Sequence, residues 1–174
     1  IEVGKALVEQ HATRIAIPCI TAHYFHDELE KAIRVPIIHG IAETVKYLSD
    51  RGCKSAGIMA TDGTVRTGLF TEELQKKNMT AVYPGETGQA YVMDLIYRNV
   101  KAGKPADMEK FQTVADELHR KGAEVILLGC TELSLIKRDY PMQADFLDVM
   151  EVLAKCSVES CAALKEEYNE LITR

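Results

Sequence analysis

EVILLGCTEL, residues 124–133, decides how this chain is read. Four consecutive apolar residues, 125–128, suit a strand buried on both faces, and Gly129 then releases the chain into Cys130, Thr131 and Glu132. Threonine followed by an acidic residue suits the start of a helix. The segment therefore delivers a thiol from the end of a buried strand to the mouth of a helix. RIAIPCITAH, residues 14–23, repeats the arrangement with Cys19 and Thr21.

Working outward, short apolar runs predict strands at 14–18, 35–38, 54–60, 79–83, 124–128 and 146–147. Helical patterns fall at 24–31, 41–51, 66–76, 88–100, 108–121 and 132–137, with a long final helix at 149–170. Residues 1–10 also read as an amphipathic helix. Ile41, Val45 and Leu48 share one face, as do Met108, Phe111, Ala115 and Leu118. Gly52 and Gly122 stand where left-handed helix caps are wanted. The alternation predicts an α/β fold with parallel sheets flanked by helices. The repeated strand–cysteine–helix unit suggests two pseudo-symmetric lobes. Residues 39–145 would form one; 1–38 with 146–174 would form part of the first, which is incomplete. The chain opens on Ile1, already inside a helical pattern, so residues are expected to precede it.

Composition narrows the function classes. The 174 residues are 47% hydrophobic, enough for a substantial core, and the net charge of -5 argues against a nucleic-acid or anionic-membrane surface. No apolar run is long enough to span a bilayer, and no signal peptide is visible. Five cysteines without close paired spacing suggest reduced thiols in the cytoplasm rather than a disulfide frame.

In open α/β sheets, ligands bind at the carboxyl ends of strands. Cys19 and Cys130 both fall there. A helix start favours thiolate over thiol and offers free N–H groups to a substrate carboxylate. Two such thiols facing one ligand could take a proton from one face of a carbon and return one to the other, with no organic cofactor. Cys53, Cys156 and Cys161 read as packing residues. Cys19, His23 and His26 lack the second close ligand pair of a zinc site, so no metal is implied. No phosphate loop or dinucleotide fingerprint is present.

PCITAH and GCTEL resemble the paired cysteine motifs of the aspartate/glutamate racemase superfamily, and the GCTEL form looks like its aspartate or broad-specificity amino-acid racemase branch. The resemblance runs over nearly the whole chain in motif order and spacing. It implies racemisation of an acidic or other small amino acid, without cofactor, by Cys19 and Cys130. MATDGTVRTGLF resembles the family's threonine-bearing loop, which places Thr61 and Thr64 at the ligand. IYRNVKAGK resembles its Lys-x-Gly stretch and suggests Lys101 as a carboxylate contact. Thr21 and Thr131 would also hold substrate; His23 would support the Cys19 loop, and Glu132 would orient or tune Cys130. A homodimer is suggested by the family alone. Two departures stand out. Ile20 replaces the asparagine of the usual Cys-Asn-Thr, and the family's opening strand and glycine-rich loop are lacking. The alternatives are a thiol-dependent decarboxylase or isomerase of small carboxylates, or a truncated lobe that only binds or dimerises.

Overall fold

The computed structural model describes residues 1–143 and 145–173. Its larger sheet has four parallel strands: β3 (Ser55–Met59), β4 (Thr80–Val82), β5 (Val125–Leu128) and β6 (Phe146–Asp148), in the order β4-β3-β5-β6. The smaller pairs β1 (Ile15–Ala16) with β2 (Ile37–Ile38), also in parallel. All six strands form where the apolar runs predict them.

Both faces of the larger sheet are covered, and alternate residues of each strand divide between them. Val125 and Leu127 join Ile41, Val45 and Leu48 of α3 (Gly40–Asp50), Phe70 and Leu74 of α5 (Leu69–Lys76), and Val152 of α9 (Val149–Glu159). Ile126 and Leu128 join Val92 of α6 (Glu86–Met93), Phe111 and Leu118 of α7 (Met108–Arg120), and Leu133 of α8 (Thr131–Asp139). Phe111 also lies against Phe146, with ring centroids 5.3 Å apart. Around the smaller sheet, α1 (Glu2–Glu9) and α2 (His26–Ile33) enclose a modest core of Ile15, Ile33 and Ile37. Gly52 and Gly122 take positive φ, 77° and 93°, at the ends of α3 and α7.

Several boundaries differ from the sequence reading. The helix expected at 66–76 is two, α4 (Asp62–Arg66) and α5, because Gly68 turns left-handed between them. The one expected at 88–100 is regular only in α6. It continues as a π-helical segment, Asp94–Asn99, and a 3₁₀ turn, Val100–Ala102. The long final helix stops at Glu159. The following chain turns back to be held on α3, where the Arg51 guanidinium donates to the Asn169 carbonyl (2.6 Å) and Leu171 N–H to the Tyr47 hydroxyl (2.7 Å). Long-range contacts here override helical pattern.

The expected lobe division also differs from sheet membership. The sequence reading places residues 146–148 with the first lobe; in the structure β6 pairs with β5 in the larger sheet. Its Phe146 and Leu147 are fully apolar and buried, which suits a place beside β5. Arg174, the outer bound of that lobe, lies outside the described residues.

Candidate active site

The register of the larger sheet brings its two site-bearing turns together. Met59 is opposite Leu128, so the chains leaving β3 and β5 run side by side into Thr61 and Cys130. Gly129 N–H donates to the Met59 carbonyl at 2.8 Å. A β-carbon at Gly129 would stand 3.2 Å from Ala60 Cβ, Met59 O and a Phe70 ring carbon, so a side chain would push these turns apart.

Three hydroxyls then tie in the Cys19 segment. Thr21 Oγ1 lies 3.1 Å from Thr61 Oγ1 and 2.9 Å from Thr64 Oγ1, and Thr61 and Thr64 are 3.2 Å apart. Thr64 is buried, whereas Thr21 and Thr61 are half-buried. Residues 40 apart in sequence thus fix the Cys19 segment over the carboxyl end of β3. The buried His23 adds a local brace, donating its Nε2–H to the Ile17 carbonyl (3.1 Å).

The two thiols have different settings. Cys130 is the N-cap of α8, half-buried, and donates its S–H to Glu132 Oε2 at 2.9 Å. Thr131 donates its hydroxyl to the same oxygen, also at 2.9 Å, and Lys101 Nζ lies 3.7 Å from Oε1. Burial pushes the Cys130 thiol up to about 12. The Glu132 carboxylate adds to the rise, and the Glu132 backbone N–H and Lys101 only partly oppose it. Burial also pushes the Glu132 carboxyl up, but the Cys130 and Thr131 donors, a backbone N–H and Lys101 together hold it below its ordinary value. The proton therefore sits on sulfur. Desolvation and an anionic acceptor outweigh the helix amides here, so the setting favours the thiol over the thiolate expected from a helix start.

Cys19 is exposed and precedes a 3₁₀ turn, Ile20–Phe25; the helix expected at 24–31 follows that turn as α2 rather than starting directly behind the thiol. Neither threonine is the helix cap that the sequence suggested. Thr21 spends its hydroxyl on Thr61 and Thr64, and Thr131 is the first residue of α8, behind Cys130. The Ile20 side chain is buried in the larger core. It leaves the site without a polar contact from position 20.

Two residues that sequence reasoning missed also hold the site. Gln89 and Met93 of α6 both bond the turn carrying Thr61, through the Ala60 carbonyl, the Asp62 carboxylate and the Asp62 N–H. Spacing of four on a helix could have paired them. Nothing in the sequence pointed that pair at this turn. Lys101, on the 3₁₀ turn that ends the same helical run, is largely exposed; its Nζ stands 4.8 Å from the Tyr97 ring centroid.

A thiol, a carboxylate, a cation and a hydroxyl cluster thus lie near the strand ends of a parallel α/β sheet, the place where ligands bind in open α/β folds. The Asp/Glu/Hydantoin racemase family model matches residues 1–156, and the chain belongs to that family. It is 26% identical to the broad-specificity amino-acid racemase RacX of Bacillus subtilis over 86% of its own length, and spans 65% of that relative. The aspartate racemase of Picrophilus torridus superposes with a TM-score of 0.76 at 28% identity, covering 94% of this chain and 69% of the other. An aspartate racemase homologue from Pyrococcus horikoshii shares the fold, with a TM-score of 0.78 at 22% identity over 91% of this chain and 71% of that one.

Proposed function

We propose that this chain racemises an acidic or other small amino acid without an organic cofactor, using Cys19 and Cys130 as the two proton-transfer groups. One sulfur, as thiolate, takes the α-proton as the C–H bond breaks. The other gives its S–H proton to the opposite face of the carbanion, and the configuration inverts. The observation that carries this reading is the hydroxyl cluster. Thr21, two residues from Cys19, bonds Thr61, whose strand is the direct neighbour of the one leading to Cys130.

The remaining roles follow from chemistry. Thr21 and Thr61 can turn O–H groups toward a substrate carboxylate, and Lys101 supplies a cation for an acid group. Glu132, which accepts the S–H of Cys130, orients that thiol and can receive its proton. Thr131 holds Glu132 in place. The reading also has the chain working in the cytoplasm, where its five free cysteines stay reduced, and as a homodimer.

The test is exchange of the α-hydrogen of aspartate and glutamate in D₂O, followed by NMR and chiral chromatography. Label uptake from both enantiomers, with racemisation lost on serine substitution at 19 or 130, is the expected result. Carbon dioxide release would point instead to a decarboxylase. Binding without exchange would leave only a ligand-binding domain.

A further inference from the structure

The turn carrying Thr61 is held from both sides, and one of the holding groups stands outside the chemistry. On the β5 side, Gly129 N–H takes the Met59 carbonyl. Within the turn, Val65 N–H takes the Thr61 carbonyl at 3.0 Å. On the α6 side, Gln89 Nε2 donates to the Ala60 carbonyl at 3.0 Å and to Asp62 Oδ1 at 2.9 Å, bracketing Thr61. One helical turn on, Met93 Sδ accepts the Asp62 N–H at 3.4 Å.

Both partners of the Gln89 nitrogen can only accept, so the amide cannot be reversed without setting oxygen against oxygen. The orientation leaves Gln89 Oε1 buried with no hydrogen-bond partner among the described residues. A buried acceptor without a donor is destabilising and calls for an explanation. The demand for two N–H donors at this turn supplies one.

We propose that Gln89 is a positioning residue of this site, acting through Thr61. It fixes the Ala60–Asp62 backbone so that the Thr61 hydroxyl meets Thr21 and the incoming carboxylate at one setting. The same helical run continues through the π-helical segment to Lys101, so α6 joins the Thr61 turn to the cation facing Glu132. Asp94, where the regular helix ends, is tied to Lys110 of α7 at 2.7 Å, which links the run to α7. What Thr61 does for substrate rests on the racemase reading; the clamp itself does not.

Two variants of the full chain test this. Gln89→Met keeps length and apolar bulk, removes both donors and also removes the orphaned acceptor. The expected result is little change in thermal midpoint. In ligand-free protein, amide hydrogen exchange at 61–64 speeds up roughly tenfold. In α-hydrogen exchange of aspartate, kcat/KM falls roughly 10- to 100-fold, as for a misplaced contact group. Gln89→Glu sets a carboxylate against two acceptors. It should show the same loosening at neutral pH and partial recovery, relative to wild type at each pH, as acidification restores one O–H donor. Unchanged exchange at 61–64 in both variants overturns the proposal, as does an activity loss that only tracks a fall in thermal midpoint. If the wild-type chain leaves the α-hydrogen of every amino acid tested in place, the racemase reading falls. The amide exchange still decides the clamp.

Discussion

Cys130 and Cys19 leave the ends of parallel strands, yet their surroundings share almost nothing. The strand before Cys130 is buried at every position and lies between β3 and β6, and the thiol is half-buried against a carboxylate. The strand before Cys19 is two residues long and belongs to a two-stranded sheet, and the thiol is exposed. The same residue in the same topological place thus receives its chemistry from different sources. Burial and Glu132 make Cys130 a proton holder. Cys19 is open to solvent and is located chiefly by Thr21 and by the brace from His23 to Ile17. The two thiols are therefore unequal in their settings.

The largest expected effect probes both halves. Cys130→Ser and Cys19→Ser should each lower racemisation by about 10²- to 10⁴-fold, the range for loss of one acid–base group. Iodoacetamide separates them: mass spectrometry should find Cys19 alkylated well before Cys130, since only thiolate reacts and burial and Glu132 hold Cys130 protonated. Equal labelling rates would break the comparison. Stability should divide in the same way. Phe111→Ala opens a cavity beside Phe146 and should cost about 3–5 kcal/mol in denaturant unfolding. Ile33→Ala, in the small core, should change global unfolding by about 2 kcal/mol or less, because that region can open locally. Its signature is lost amide protection over 15–38 with protection kept at 125–128.

The same asymmetry governs what the sequence could disclose. Larger-sheet strands announce themselves, because burial on both faces demands continuous apolar runs such as 125–128. The caps at Gly52 and Gly122 are legible because positive φ favours glycine. Long-range choices were not legible. The place of 146–148 in the larger sheet depends on a partner strand about 20 residues earlier. The chain after Glu159 follows Tyr47 and Arg51, more than a hundred residues away. At the site, the motifs located the cysteines and threonines, but not the state of the Cys130 thiol. That state depends on how deeply the sulfur is buried and on a carboxylate two residues on. Gln89 escaped notice altogether, since its partners are a backbone carbonyl and a turn carboxylate in another element.

The smaller region carries a pH dependence of its own. His23 packs with His39 and His26, its ring centroid 5.3 Å from that of His39. Burial pushes its pKa down from 6.5 to about 4. The Ile17 carbonyl opposes this, while His39 and His26 reinforce it. His39 is also lowered, first by burial and then by His26, with Glu73 opposing and Lys76 adding. Above pH 6.5 neither folded nor unfolded chain protonates His23, and it contributes no slope. Between 6.5 and about 4 the unfolded chain takes a proton that the folded ring refuses. Stability therefore falls as pH falls, by at most about 3 kcal/mol from this residue, and levels off below 4. His23→Gln, whose amide can still donate to the Ile17 carbonyl, should flatten that slope in urea unfolding between pH 7 and 4.5. An unaltered slope would mean that other groups carry it.

The smallest effect sharpens the contrast most, because it alters one thiol and leaves the other alone. Glu132→Gln keeps the size of the side chain and can still accept the Cys130 S–H and the Thr131 O–H through its carbonyl oxygen. It removes the negative charge. The Cys130 thiol should then move down from about 12, since burial and the retained S–H bond still raise it but the carboxylate charge no longer does, while Lys101 and the backbone N–H still pull the other way. Alkylation of Cys130 should speed up roughly tenfold at pH 9, and alkylation of Cys19 should not change. Racemisation should nonetheless fall about tenfold, because the group that orients and can receive the Cys130 proton is gone. A more reactive sulfur together with slower racemisation is the outcome that separates a proton-handling role for Glu132 from simple packing. Packing alone predicts no change in the Cys130 alkylation rate.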